Sequence, residues 1–305
     1  MIDFPLPHPG PWLTSQLVER FGTSHGPRRL VAGGALVPIS RGIFYAADVW
    51  ATLSPDQRHL ALLAGHHEFH EAFGGVNFAY SHLSAARLHG IDLWEPDDLI
   101  HLVLPTSVRS GAHRPEVRVH AMELGEGDTC EMRGLPTTSL ENTVVDCARY
   151  LRRGQAQIVV DHGLRLGADR KRLAELVALA QGKRGVRTAR AALELGSELS
   201  ESAGESLLHY LLSRMPIPMP TQQLVVMTRH GRYRIDFGWA DIRRGIEFDG
   251  KGKYFRFAPT DEVIFKERQR EKDMMEEDWK FLRVEWRDLF REAELRARIE
   301  RFLFS

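Results

Sequence analysis

A change of sequence period near residue 216 constrains the fold of this chain more than any other feature. Residues 207–215 have a helical pattern, and the proline-rich segment 216–220 then forces an extended connection, because proline fixes φ and disfavours helix in the residue before it. Strand-like runs separated by short turns follow; they cover residues 221–228, 232–239 and 244–248. The pattern predicts a helix followed by a sheet with antiparallel neighbours.

The chain beyond this sheet predicts a return to helix and one further strand. We expect a charged helix over residues 262–278, a strand over 280–286 and a C-terminal helix that starts near Leu289. A polar stretch of small residues, 197–206, precedes all of these elements. Residues 196–305 are therefore predicted to form a domain of their own.

Two of the strand-like runs carry an acidic residue inside an apolar stretch. Asp236 and Glu247 each lie between an isoleucine and a phenylalanine. A carboxylate in such surroundings is costly unless it is paired, protonated or bound to a cation. Asp249 lies two residues beyond Glu247 and hence on the same face of the strand. Glu205, on the preceding helix, could complete a cluster of four acids.

Three or four acidic oxygen donors are the ligands that Mg²⁺ or Mn²⁺ prefers. Such an ion activates a water for attack on a phosphoryl group, and a lysine can neutralise the developing charge. Lys251 and Lys253 follow the cluster at once. Acidic residues at strand ends are nevertheless common, and Asp249-Gly250 is an ordinary turn signal, so spacing alone leaves a structural role open.

The N-terminus has the order of a winged helix-turn-helix. An apolar helical stripe runs from Trp12 to Phe21 and ends at Gly22, and a second helix, capped by Ser24, carries Arg28 and Arg29. Extended runs at residues 35–39 and 42–46 follow, with Arg41 in the turn between them. In such modules the second helix enters the major groove and the wing contacts the backbone. The alternative is a protein-binding or scaffolding module with solvated arginines.

The middle of the chain mixes helix and strand. Helices are predicted over residues 56–73, 81–89 and 140–151, strands over 99–104 and 117–122, and mainly helix over 156–195. His66 and His70 share a helix face at a spacing that can hold a metal, with His67 between them. No third ligand is evident, which favours surface or capping histidines.

Composition places limits on the environment. No apolar run approaches the roughly 20 residues that span a bilayer, and the N-terminus lacks the features of a signal peptide. Cys130 and Cys147 are the two cysteines, and we expect buried or half-buried thiols in a reducing cytoplasm. The formal net charge is zero, so any basic surface for nucleic acid must be local.

Several motifs in the last part of the chain occur in the order of a known family. They are GES at 204–206, PxPxxQ at 218–223, YRIDFGW at 233–239, IEFDGKGKY at 246–254, KERQREKDMMEEDW at 266–279 and FLRVEWRDL at 281–289. This region resembles the restriction-endonuclease-like domains related to very short patch repair endonucleases, within the PD-(D/E)XK superfamily. The resemblance covers about the last 105 residues.

The upstream region is similar to a second group. Residues 42–45 (GIFY), 81–90 (SHLSAARLHG) and 134–139 (GLPTTS) resemble actinobacterial proteins described as AbiEi-like. Those are antitoxins or transcription regulators with an N-terminal winged helix. The resemblance implies a DNA-binding N-terminus that uses Arg28, Arg29 and Arg41.

The two resemblances together imply an α+β multidomain fold. A winged helix-turn-helix would span residues 1–50, an AbiEi-like α/β and helical region 51–195, and a restriction-endonuclease-like α/β domain, with a central mixed sheet flanked by helices, 196–305. The implied catalytic and metal-binding acids are Glu205, Asp236, Glu247 and Asp249. Two departures bear on activity: Asp249 stands where a (D/E)XK motif expects lysine, and Lys253 stands where relatives often carry histidine.

Three functions remain open at this point. The first is a DNA-binding protein with a Mg²⁺- or Mn²⁺-dependent endonuclease domain, in which Lys253 supports water activation and Lys251 contacts DNA; phage defence, mobile elements and DNA repair are possible settings. The second is a non-enzymatic antitoxin or regulator with an inactive nuclease-like fold. The third is a protein-interaction module. A cognate toxin and a second copy of the chain are candidate partners beside DNA.

Overall fold

The computed structural model describes residues 8–73, 75, 77–104, 115–228, 231–250 and 276–304. These residues combine helices and several sheets, which makes this an α+β protein. They form two compact units. The first holds residues up to Ile91 together with Glu95–Asp146, and the second holds Asp92–Trp94 together with the chain from Cys147 onward. The domain boundaries near residues 50 and 195 stay a prediction.

The first unit begins with two short helices beside a three-stranded sheet. In chain order the elements are β1 (Trp12–Leu13), α1 (Thr14–Phe21), α2 (Gly26–Ala32), β2 (Leu36–Ser40) and β3 (Ile43–Ala46). The strands are antiparallel in the order β1-β3-β2. Helices α3 (Ala47–Thr52) and α4 (Pro55–Phe73) follow. The helices and the hairpin predicted from sequence are thus confirmed as elements.

Some local predictions in this region are wrong. Trp12 and Leu13, predicted on the helical stripe, form β1, although both side chains are buried. The N-cap of α2 is His25 and not Ser24; no side chain caps this end. Pro27 lies in the first turn of α2. Backbone amides in the first turn have no hydrogen-bond partner within the helix, so the amide that proline lacks costs no hydrogen bond. Helix α1 does end at Gly22, whose φ of +65° suits glycine.

A five-stranded sheet forms the rest of the first unit. The elements of this part are β4 (Ala79–Tyr80), α5 (His82–His89), β5 (Ile100–Leu104), β6 (Val117–Ala121), β7 (Thr129–Met132) and β8 (Leu135–Thr138). Helix α6 (Leu140–Tyr150) follows, and the boundary between the two units falls within it, after Asp146. The strand order is β6-β5-β4-β8-β7, and the pairs β5–β6 and β4–β8 are parallel. The sequence offers Ser81 as a side-chain cap for the helix predicted at residues 81–89, and this prediction is wrong: Ser81 occupies the N-cap position of α5, but its side chain makes no capping hydrogen bond. Cys147 is buried, whereas Cys130 is exposed, also contrary to prediction.

The second unit opens with three helices: α7 (Arg153–Arg165), α8 (Arg170–Leu179) and α9 (Val186–Leu195). This confirms the prediction of a largely helical segment. Gly185 precedes α9 with φ at +80°, and a Cβ there would lie 1.9 Å from the carbonyl oxygen of Arg149. Only glycine therefore fits this junction. None of the described helices is long and apolar enough to cross a membrane.

A mixed sheet follows in the second unit. The elements are α10 (Ala203–Leu212), β9 (Thr221–Thr228), β10 (Gly231–Trp239), β11 (Arg244–Asp249), β12 (Lys280–Glu285), α11 (Trp286–Leu289) and α12 (Glu292–Phe304). The strand order is β12-β11-β10-β9; β9, β10 and β11 are antiparallel neighbours, and β11 and β12 are parallel. The mixed sheet and its predicted strands are confirmed. Most of the helix predicted at 262–278 lies outside the described residues.

Helix α10 packs closely on this sheet. Leu208 and Leu212 are fully buried in a core shared with Phe237 and Ile246. Alternating apolar residues on the strands supply one wall of this core, and the apolar face of the helix supplies the other. At Gly204 the contact is tightest, since a Cβ there would lie 2.0 Å from the ring of Phe248. The start of α10 is thereby fixed against β11.

Candidate functional site

The four predicted acids lie on three elements of the second unit, one helix and two neighbouring strands. Glu205 lies in the first turn of α10, Asp236 lies within β10, and Glu247 and Asp249 lie near the end of β11. Glu205 is buried, with 6% of its surface exposed, and the other three are half-buried. A buried carboxylate needs compensating contacts, so the partners of Glu205 decide what it can do.

Glu205 is held by hydrogen bonds to both of its carboxylate oxygens. Ser202, the N-cap of α10, accepts the Glu205 amide through Oγ at 3.2 Å and donates to Oε1 at 2.8 Å. The Glu201 amide donates to Oε2 at 2.9 Å, and Gln223 Nε2 on β9 donates to the same oxygen at 3.1 Å. These contacts set the side chain in one orientation relative to β9.

Burial raises the pKa of Glu205, and the negative charge of Asp236 raises it further, whereas the hydrogen bond from the Glu201 amide opposes this shift. The carboxylates of Glu205 and Asp236 are therefore close enough for mutual repulsion to matter. A divalent cation beside them would relieve this repulsion and stabilise both charged forms.

Asp236 lies where the pairing of β10 with β11 ends. The paired positions run from Trp239 and Arg244 to Phe237 and Ile246. Beyond the last pair, Asp236 Oδ2 accepts a hydrogen bond from the Phe248 amide at 2.9 Å. The carboxylate of one strand thus bonds to the backbone of the next, which fixes Asp236 beside the segment that carries Glu247 and Asp249.

Alternation along β11 separates its acids from its apolar residues. A Cβ on Gly245 would lie 2.8 Å from Phe281 of β12, which defines one face of the sheet. Glu247 and Asp249 lie two and four positions along and share that face. Ile246 belongs to the core beneath α10, on the other face. The strand can therefore hold two carboxylates without disturbing that core.

No three of the four acids, each of which lies in the described part of the chain, have carboxylate oxygens within 4.8 Å of one another. Among the residues that the structure describes, a single group of three potential metal ligands has its ligand atoms within 4.8 Å of one another; it consists of His82, His101 and His120, in the first unit. Mg²⁺ commonly keeps several water ligands and uses only one or two carboxylates. The all-oxygen donor set and the repulsion between Glu205 and Asp236 therefore fit Mg²⁺ or Mn²⁺. Lys251 and Lys253 lie outside the described residues.

The arginines predicted to contact DNA are placed on the surface of the first unit. Arg28 and Arg29 are exposed on α2, whose opposite side is buried through Pro27 and Leu30. Arg41 is exposed in the turn between β2 and β3. The helix and the hairpin turn therefore each present basic side chains to solvent.

His66 of α4 has a different role from the predicted one. His66 is 4% exposed, so it is neither a surface nor a capping residue. Its Nδ1 lies 3.0 Å from the hydroxyl of Tyr80, and its ring meets Phe78 edge-on. His66 is thus part of the aromatic packing between α4 and the five-stranded sheet.

Sequence reasoning missed the residues that orient the acids and one buried acid. Gln223 falls in the PxPxxQ motif, which assigns it no role, whereas Ser202 begins an S-x-x-E capping signature that marks the start of α10. Asp161 on α7 is fully buried. Its Oδ1 accepts hydrogen bonds from Gln157 Nε2 at 2.7 Å and the Ser197 amide at 2.9 Å, and Ser200 Oγ donates to Oδ2 at 3.2 Å.

Comparison with known proteins supports the AbiEi-like interpretation of the middle region. Residues 79–198 match the family model of the AbiEi antitoxin C-terminal domain. Two uncharacterized proteins of Mycobacterium tuberculosis, MT2308 of strain CDC 1551 and Rv2248 of strain H37Rv, are each 28% identical over 276 residues, which are 90% of this chain and 94% of the relative.

A solved structure is also similar in part. The crystal structure of the RV2827C protein from Mycobacterium tuberculosis matches 70% of this chain and 82% of its own, with 18% identity and a TM-score of 0.39. The family match is thus the comparison that bears on function, and it covers the region between the arginines of α2 and the acids that begin at Glu205.

Proposed function

We propose that this chain is a DNA-binding protein whose second unit carries a Mg²⁺- or Mn²⁺-dependent endonuclease site. The observation that carries the proposal is the pairing of Glu205 with Asp236. Glu205 is buried and oriented by three residues, yet its pKa is raised by burial and by a second carboxylate. Such an unfavourable pair is typical of a site built for a cation.

The order of elements supports the same proposal. Helix α10, the antiparallel strands β9 to β11 and the parallel strand β12 form a mixed sheet packed against a helix. This is the arrangement that resemblance to the PD-(D/E)XK superfamily implies, and the acids of Glu205, Asp236, Glu247 and Asp249 lie on its first helix and its two central strands.

Each side chain then has a defined task. A bound Mg²⁺ or Mn²⁺ would supply polarisation of the scissile phosphoryl group and activation of water. Asp236 and Glu247 would hold the cation, with Asp236 fixed by the Phe248 amide. Glu205, held in place by Ser202 and Gln223, would attract the cation through its negative charge. Asp249 adds a fourth carboxylate, and Lys253 remains the proposed positive group near the reacting phosphate.

The N-terminal module supports DNA as the substrate. Two helices followed by a β-hairpin, within a sheet of order β1-β3-β2, support the winged helix-turn-helix proposed for this module. Arg28, Arg29 and Arg41 are exposed on the helix and the turn that a winged helix would present to DNA. Binding through these residues would hold the duplex independently of cleavage.

Cleavage of supercoiled plasmid in the presence of Mn²⁺ tests the enzymatic part. We expect Asp236→Asn and Glu205→Gln to lower the cleavage rate by at least about 100-fold, as for the loss of one preorganised electrostatic group. Asp236→Asn is isosteric and can still accept the Phe248 amide. Glu198→Gln, an exposed acid on the preceding segment, is the matched control and should cleave as the wild type does. Equal cleavage by all four proteins would refute the proposal.

A second candidate function rests on the family match at residues 79–198. In that case the chain is a non-enzymatic antitoxin or transcription regulator, and the C-terminal fold binds a partner such as a cognate toxin. Operator binding without nicking, together with unchanged repression by Asp236→Asn, would favour this function.

Sedimentation of the purified protein would show whether two copies associate. This matters for the endonuclease proposal, because cutting both strands of a duplex needs either two active sites or two successive visits by one.

A further inference from the structure

Three histidines from different elements meet in the five-stranded sheet of the first unit. His82 is the first residue of α5, His101 lies in β5, and His120 lies in the edge strand β6. In the parallel pairing of β5 with β6, His120 is level with Val103, two residues beyond His101. The two histidines therefore lie on the same face of the sheet, and His82 lies two residues beyond the end of the neighbouring strand β4.

The ring nitrogens of the three residues converge. His101 Nδ1 and His120 Nε2 are 2.9 Å apart, and the rings of His82 and His120 are stacked with centroids 3.5 Å apart. One nitrogen of each ring lies within 4.8 Å of the others. Three nitrogens bound to one Zn²⁺ would be roughly 3.3 Å apart, given Zn–N bonds of about 2.0 Å in tetrahedral geometry. The rings of His82 and His120, which are stacked with an interplanar angle of 14°, would have to turn out of this stack so that an in-plane lone pair of each ring points at the ion.

The second nitrogen of two of the rings is held by the protein. His101 Nε2 lies 2.9 Å from Asp97 Oδ1, so Nδ1 is the nitrogen directed at His120. His82 Nδ1 lies 3.1 Å from Ser81 Oγ. A carboxylate that accepts the N–H of a ligand histidine fixes its tautomer and raises its basicity, which is the usual arrangement behind zinc-binding histidines. Asp97 has this position relative to His101.

Backbone conformation and exposure add two independent observations. His82 has φ at +47°, a left-handed conformation that a non-glycine residue keeps only where its surroundings fix it and that concentrates at functional sites. His101 is fully buried and His82 nearly so, whereas His120 is half-buried on an edge strand. The cluster is therefore enclosed on one side and accessible on the other, which gives an ion a path of entry.

We propose that His82, His101 and His120 form a binding site for Zn²⁺, with Asp97 as a positioning residue and the fourth coordination position open to water. Three imidazoles form a donor set that selects first-row divalent ions such as Zn²⁺ over Mg²⁺. The site lies in the first unit, and its existence does not depend on the proposed nuclease site.

Metal titration of the purified full-length protein, after removal of metal by a chelator, tests the proposal. We expect one Zn²⁺ per chain and a Co²⁺ derivative with the visible spectrum of a nitrogen-rich site. Asp97→Asn should weaken Zn²⁺ binding by about 10–100-fold, and His120→Gln should weaken it more. His25→Gln, an exposed histidine in the same unit, is the control and should bind as the wild type does.

X-ray absorption at the zinc edge of the wild-type complex makes the test independent of any variant. The expected first shell contains three imidazole nitrogens. Coordination by oxygen alone, or by sulfur from Cys130 or Cys147, would overturn the proposal, as would the absence of Zn²⁺ binding or equal affinity in wild type and His120→Gln. Far-UV circular dichroism of each variant separates the loss of a ligand from the loss of the fold.

Discussion

Replacing Asp161 by asparagine should change how stability depends on pH. Asp161 is fully buried, and burial raises the pKa of its carboxyl from 3.8 to about 6, against the opposing effect of hydrogen bonds from Ser197, Gln157, Ser206 and Ser200. Because the pKa is raised in the folded state, the folded protein binds this proton more tightly than the unfolded chain does. The stabilisation from protonated Asp161 is complete below its unfolded pKa and is lost as pH rises through about 6.

The size of the effect follows from the shift. A difference of about two pKa units corresponds to about 3 kcal/mol, at 1.36 kcal/mol per unit, to order of magnitude. Asparagine does not titrate and keeps the contacts: its oxygen can accept from Gln157 and Ser197, and its amide can donate to Ser200 Oγ, which also accepts from Gln222. The free energy of unfolding of Asp161→Asn, relative to wild type, should therefore increase by up to about 3 kcal/mol between about pH 4 and pH 7.

Urea unfolding of both proteins across this pH range measures the difference directly, since all other titrating groups are shared. Asp169→Asn is the matched control, because Asp169 is an exposed N-cap that accepts the Lys171 amide and asparagine keeps that role. Parallel curves for wild type and Asp161→Asn from acid to neutral pH would refute the reasoning. The reasoning would also be refuted if the free energy of unfolding of Asp161→Asn, relative to wild type, decreased as pH rises.

Two further changes have defined outcomes. Gly204→Ala would place a Cβ 2.0 Å from the ring of Phe248 and should lower the free energy of unfolding by about 1–3 kcal/mol, as overpacking does; a urea titration that finds no loss would contradict the described contact. Arg28→Ala with Arg29→Ala should weaken DNA binding in gel shifts and reduce the slope of log K against log salt by about two, for two lost phosphate contacts; an unchanged slope would remove both arginines from the interface.

Periodicity predicted most of the secondary structure but not its shortest parts. The long alternating run that became β10 and the apolar stripe of α1 each repeat often enough to be recognised. The two-residue strands β1 and β4 are too short for the two-residue alternation to repeat, and their residues are strands only because a partner strand pairs with them. The prediction that Trp12 lies in a helix is wrong for this reason, although its apolar character correctly predicts its burial.

The sequence predicts the acidic residues of the candidate site but not the residues that hydrogen-bond to them. Asp236 and Glu247 were conspicuous because each interrupts an apolar strand. Gln223, which donates to Glu205 across 18 positions of sequence, gives no local signal, since its role depends on how β9 lies against α10. The same applies to His82, His101 and His120, which become a cluster only through the pairing of β5 with β6 and of β4 with β5.

The tight contact between Gly204 and Phe248 has a consequence for sequence divergence. The two positions share one small volume, so neither can change freely while the other stays the same. In homologous chains that keep this packing, we expect a larger residue at position 204 to be accompanied by a smaller one at position 248.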